Sequence, residues 1–146
     1  MDELKLDSVK GWHQMSGKFI TTEQMERDTL DWGVMGWVSR PSTTNTKDLV
    51  VIEVTLEPGG GHNFHKHPEQ EEVIYVLEGK VEQWLGDKKQ VLSQGDSVFI
   101  PADAVHASFN VFDQNAKLLA ILGPSVGEEG YQLVEVYDQE PWSNLR

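Results

Sequence analysis

A chain of 146 residues is long enough for one domain with its own core, and the absence of cysteine excludes a disulfide framework and fits a reducing compartment. A formal net charge of −12 speaks against nucleic acid and anionic membrane surfaces as partners, since their phosphates would be repelled. No apolar run reaches the length of a bilayer span, and Met1-Asp2-Glu3-Leu4-Lys5 lacks the basic start and apolar core of a secretory signal, so a cytoplasmic protein is expected.

Residues 1–30 carry the weakest pattern and are expected to form an N-terminal arm. Thr21 and Gln24 have the spacing of a capping box for a short helix through Arg27, and an irregular arm is the alternative. From Asp31 the residues alternate as in a strand, with Trp32, Val34, Gly36 and Val38 on one face. A polar loop from Ser39 to Thr46 leads to a strand over Leu49–Leu56, in which Ile52, Val54 and Leu56 share a face. Pro58 and three glycines then open a strand bearing His62, Asn63, His65 and His67, which Pro68 ends because proline cannot donate to a ladder. Val73-Ile74-Tyr75-Val76-Leu77 is the next strand, with Glu71 or Glu72 at its start.

Lys80–Leu85 and Lys89–Leu92 read as a hairpin across Gly86-Asp87. Ser97–Ile100 is a short strand stopped by Pro101, Ala107–Phe112 and Lys117–Leu122 form a further hairpin, and Tyr131–Tyr137 reads as a last strand. Many short strands between glycine and proline turns indicate an all-β sandwich or barrel over residues 31–137, followed by a tail at 138–146.

The chemistry concentrates between Gly59 and Asn110. His65 and His67 are two apart, so on a strand both imidazoles point to one face and are able to reach one ion. His106 follows a proline turn at the start of another strand, and a carboxylate stands at position 71 or 72. Three imidazoles and one carboxylate suit one divalent ion of Fe, Mn, Ni, Cu or Zn without choosing among them. Gln83 falls on the inward face with Val81 and Leu85, where a buried amide needs partners, and is positioned to hold a water on the ion or a substrate oxygen. Asn63 shares the face of His65 and is a candidate for the pocket mouth, and Tyr75 and Phe99 are further pocket candidates, although core roles suit both rings. His62, three residues from His65, should face the other way as a loop residue, and His13 is expected at the surface. Trp84 should face outward, opposite Gln83, and with Trp12, Trp37 and Trp142 it suggests a covered surface and a homodimer.

The spacing of these residues resembles the two motifs of the cupin superfamily. Gly59, five residues, His65-x-His67, four residues, Glu72, six residues and Gly79 match the first motif. Gly95, five residues, Pro101, then His106, three residues and Asn110 match the second, with Asp103 where the family has a second glycine. Aspartate tolerates left-handed backbone better than most residues, so the turn should survive. The resemblance implies a jelly-roll β-barrel, a single domain, with a metal ion bound by His65, His67, Glu72 and His106. It favours Glu72 over Glu71, because the count of six residues to Gly79 works only from Glu72. It also adds a tendency to dimerise, and it implies no single reaction. Three functions are consistent with it: a mononuclear metal oxidoreductase, dioxygenase-like, acting on a small organic molecule; a non-oxidative isomerase or lyase acting on a sugar acid; and a non-catalytic small-molecule-binding protein.

Overall fold

A computed structural model describes residues 17–146. Eleven strands follow in chain order: β1 Glu26–Leu30, β2 Gly33–Ser39, β3 Val50–Leu56, β4 Gly61–Lys66, β5 Glu71–Glu78, β6 Lys80–Leu85, β7 Lys88–Ser93, β8 Ser97–Ile100, β9 His106–Phe109, β10 Ala116–Gly123 and β11 Val134–Glu135. One four-residue helix, α1 (Pro41–Thr44), interrupts the loop after β2. The strands make two antiparallel sheets, a six-stranded one in the order β1-β2-β3-β10-β5-β8 and a five-stranded one in the order β11-β4-β9-β6-β7. The non-consecutive neighbours mean that the chain passes back and forth between two facing sheets, which is the jelly-roll way of limiting exposed edges.

Period-two alternation drives this packing. In β10, Ala116, Leu118, Ala120 and Leu122 are buried while the residues between them are half exposed. With Val50, Ile52 and Leu56 from β3 and Ile74 and Val76 from β5, these side chains form the core between the sheets.

A second apolar cluster lies on the outer face of the smaller sheet, where Phe64, Trp84, Ala107 and Phe109 are covered by Val136, Trp142 and Leu145. This corrects the expectation of an outward tryptophan waiting for a partner: Trp84 does point away from Gln83, but it is only 5% exposed because the C-terminal segment folds over it. Trp37 is likewise buried, with the Arg40 guanidinium 4.1 Å above its ring. Trp12 and His13 lie outside the described residues.

The capping-box reading is half right. Thr21 N–H donates to Gln24 Oε1 (3.0 Å) and Gln24 N–H donates back to Thr21 Oγ1 (3.3 Å). The turn they close ends at once, and β1 begins at Glu26 instead of a helix, because pairing with β2 takes up the backbone. The last strand is shorter than Tyr131–Tyr137, with only Val134 and Glu135 paired to β4.

Turn chemistry behaves as expected. Gly86 (φ +61°) makes the β6–β7 hairpin, and Asp103 takes φ +69°, the left-handed geometry that a glycine would otherwise fill. Gly79 combines φ +75° with a close approach: a Cβ there would stand 2.4 Å from the Asn115 carbonyl oxygen.

Candidate metal centre

β4 and β9 are paired so that His65 lies directly opposite His106. His67 sits just past the end of β4, and Glu72 enters from β5 in the facing sheet. All four side chains are buried, between 1% and 6% exposed. The nitrogens that His65, His67 and His106 offer lie within 4.8 Å of one another, so the three histidines are able to bind one ion.

Backbone carbonyls orient each ring. The Nδ1 of His65 lies 2.7 Å from the Asn63 oxygen, that of His67 2.8 Å from the Gln132 oxygen, and that of His106 3.0 Å from the Ala104 oxygen. A carbonyl only accepts, so each Nδ1 carries the proton, and each neutral ring presents a bare Nε2. Glu72 Oε1 stands 3.0 Å from His106 Nε2 and 3.3 Å from His67 Nε2. Despite these short distances, neither Glu72 Oε1 nor His106 Nε2 makes a hydrogen bond of proper geometry. Buried acceptors facing one another without donors are costly. A cation among three lone pairs and a carboxylate removes that cost, so this donor set fits a divalent ion.

The titration of the groups agrees with this arrangement. Burial alone would raise the Glu72 pKa, but its contacts with His106 and His67 outweigh that and hold it below the usual carboxylate range, so Glu72 is ionised. Burial and the neighbouring imidazoles His62, His106 and His67 push His65 well below the ordinary histidine value. Burial also acts to lower His106, yet the Glu72 carboxylate raises it overall.

His62 is the main departure from the sequence reading. Pairing runs His62 to Ser108 and then His65 to His106, so three steps on β4 match two on β9. The extra residue is a β-bulge, which cancels the alternation and turns His62 to the same side as His65. The His62 ring stacks on His65 (centroids 3.7 Å apart, planes 16° apart) and on Trp32 (4.1 Å, 10°). Burial first, then the charge of His106, lowers its pKa to about 3. The bulge also removes Asn63 from the pocket: its side chain is exposed, and only its carbonyl serves the site.

The other candidates divide. Gln83 is inward and buried, but its amide is spent: Ser108 Oγ donates to Gln83 Oε1 (2.6 Å), and Gln83 Nε2 donates to the Trp84 oxygen (3.1 Å). Ser108 itself lines the cavity, so Gln83 stands behind it. Tyr75 and Phe99 are 41% and 53% exposed on the outer face of the large sheet, because Ile74, Val76 and Ile100 take the inward positions. Asn110 is an anchor, donating from Nδ2 to the Leu56 and Gln114 oxygens at 2.8 Å each.

Two further residues serve the site, Tyr131 from the segment after β10 and Gln70 from the turn before β5. Tyr131 borders the cavity beside His67 and donates its hydroxyl to Met35 Sδ (3.6 Å). Burial raises its pKa to about 12, so it remains a donor. Gln70, 2% exposed, holds this segment in place: its Nε2 donates to the Pro124 (2.7 Å) and Gly130 (2.9 Å) oxygens, and its Oε1 accepts from Gln132 N–H (3.3 Å). Gln132 in turn supplies the carbonyl that orients His67. The spacing of the motif contains no signal for either residue, since the contacts join positions more than 50 apart.

Residues 52–122 match the cupin domain family. The chain is 26% identical to polyketide synthase CurC of Streptomyces cyaneus over 111 residues, covering 76% of this chain and 72% of that protein. It is 31% identical to quercetin 2,3-dioxygenase of Bacillus subtilis over 85 residues, 58% of this chain but only 25% of that protein. Among solved structures, KdgF from a Halomonas species superposes with a TM-score of 0.66 at 22% identity, covering 75% of this chain and 94% of that one, a likeness of fold.

Proposed function

The chain belongs to the cupin superfamily, and on that footing we propose that it is a mononuclear metal enzyme, dioxygenase-like, which acts on a small organic molecule through an ion held by His65, His67, His106 and Glu72. One observation carries the reading: three bare imidazole nitrogens and an ionised carboxylate converge at the wall of a two-lobed cavity whose remaining lining is mostly apolar, Val54, Leu56, Ile74, Leu118 and Ala120 among it, with His62, Ser108 and Tyr131 as the other polar groups. A divalent Fe, Mn, Ni or Zn ion supplies Lewis acidity there and, where redox-active, electron transfer to dioxygen. The carbonyls of Asn63, Gln132 and Ala104 keep the three rings in the binding tautomer. The apolar side chains exclude water and strengthen electrostatic interactions inside. Ser108 Oγ, whose proton is given to Gln83, is left as an acceptor for a substrate hydroxyl, and Tyr131 is able to exchange its long contact with Met35 Sδ for a substrate oxygen.

The same lining disfavours the sugar-acid reading. Neither lobe of the cavity is lined by lysine or arginine among the described residues. A carboxylated polyol would leave most of its hydroxyls unpaired against aliphatic walls. The likeness to quercetin 2,3-dioxygenase supports the oxidative reading without naming a substrate.

A homodimer belongs to the same proposal, with its seat moved from Trp84 to the outer face of the large sheet. There Val51, Ile121, Val73 and Phe99 lie directly opposite one another across four strands, an apolar row on an otherwise acidic protein.

The test is elemental analysis of the purified protein, followed by oxygen uptake across a panel of enolisable and hydroxylated small molecules. One redox-active ion per chain with oxygen consumption supports the proposal; turnover without oxygen overturns it in favour of non-oxidative chemistry. Ligand binding without any turnover overturns it in favour of a binding protein.

A further inference from the structure

The interior space beside the metal centre is small. It has two lobes of about 40 Å³ each, one toward Ser108 and Leu118 and the other toward Met35 and Tyr131. Either holds a few waters, and both fall well short of the roughly 150 Å³ that admits a benzene-sized ring. Outside, between the β1–β2 turn and the Glu57–Gly60 loop, lies a groove of about 400 Å³. Trp32 borders the groove and both lobes, and among the described residues no other is shared between outside and inside.

The position of Trp32 is fixed from two sides. Its backbone is tied to the glycine loop, with Gly61 N–H donating to the Trp32 oxygen (3.1 Å). Its indole lies flat on His62, which lies flat on His65, so the partition ends on a residue of the metal centre itself. A stacked indole is a rigid wall with a large contact area, and no smaller side chain at the turn would separate the two spaces.

The geometry points to Trp32 as the residue that sets substrate size: it restricts the metal-facing cavity to molecules of a few heavy atoms, and its removal joins the cavity to the outer groove and admits ring-sized oxygen donors. This inference rests on the metal reading of His65, His67, Glu72 and His106. Because Trp32 touches His62 rather than the ion, its loss changes access without removing a donor.

Cobalt(II)-loaded protein tests it by visible absorption, with azide as the small probe and 4-nitrocatechol as the ring-sized one. The expected result is azide binding of similar strength in the wild type, Trp32→Ala and Trp32→Leu, with 4-nitrocatechol binding at least tenfold tighter in both variants than in the wild type. The cobalt spectrum before probe addition reports whether each variant keeps the site, and Trp32→Leu serves where the alanine variant does not fold. Equal 4-nitrocatechol affinity in wild type and variants, with cobalt bound, overturns the size role of Trp32 and leaves the metal reading standing. Failure of the wild type to take up cobalt overturns both.

Discussion

His62 lies flat against His65, ring centroids 3.7 Å apart, although three residues of strand separate their ideal faces by an odd count. The stack restrains the His65 imidazole on the side that its Nδ1 hydrogen bond leaves free. Replacing His62 with alanine should therefore lower divalent metal affinity by about tenfold, the lower end of what outer contacts contribute at metal sites. Competitive chelation measures it, and an unchanged affinity would show that the stack does not orient His65.

Acid should destabilise the metal-free protein before its carboxylates protonate. His62 has a folded pKa of about 3 and His65 lies well below its ordinary value, so the unfolded chain binds protons that the folded chain refuses. Their contribution is full above about 6.5 and is lost as pH falls toward 3. His106, raised by Glu72, has the opposite sign: its contribution is full below about 6.5 and fades as pH rises through its folded pKa. Below about 6.5 His106 is protonated in both states and adds no slope, so the two depressed histidines leave a net loss toward acid of up to about 1.4 kcal/mol per pH unit each, roughly 2.7 together. Urea unfolding of chelator-treated protein from pH 7 to pH 4 reads the slope, and constant stability would contradict it.

Replacing His67 or His106 with alanine should sharply lower metal content while the barrel stays folded, since the core around Val50, Ile52, Leu118 and Leu122 does not involve the ion. Elemental analysis alongside circular dichroism checks both halves. Full occupancy in a variant lacking His65, His67 and His106 together would remove the assignment.

Gln70→Ala should weaken metal binding without touching a donor. It leaves the buried carbonyls of Pro124 and Gly130 without their amide, at about 1–3 kcal/mol in stability, and frees the segment whose Gln132 carbonyl orients His67. A loss of about tenfold to a hundredfold in metal affinity is expected. Loss of stability with wild-type affinity would confine Gln70 to a structural role.

Light scattering should show a dimer mass for the wild type, and Phe99→Glu, which places a charge in the apolar row of the large sheet, should shift it to monomer. Phe99 is 53% exposed, so the fold should tolerate the change. A wild-type monomer at high concentration would end the homodimer proposal.

The spacing of Gly59, His65, His67, Glu72, Gly79, Gly95, His106 and Asn110 could be read directly because each count is local. A strand alternates every residue and a turn needs a left-handed residue at a set place, so even Asp103 at φ +69° was readable in advance. The strands and hairpins follow from such short-range rules, while the jelly-roll barrel and the grouping of His65, His67 and His106 with Glu72 rather than Glu71 were what the resemblance to the cupin motifs implied. What escaped them depends on partners distant in the chain. The extra residue of β4 exists only relative to β9, and it alone brings His62 inward and turns Asn63 out. Trp84 points outward as alternation requires, but whether outward means solvent was settled by Val136, Trp142 and Leu145 folding over it. Gln70 meets the segment of Tyr131 and Gln132 from the turn before β5, and a hydrogen bond across more than 50 residues leaves no periodicity to read. Local spacing sets where a side chain points; packing between distant segments sets what it meets there.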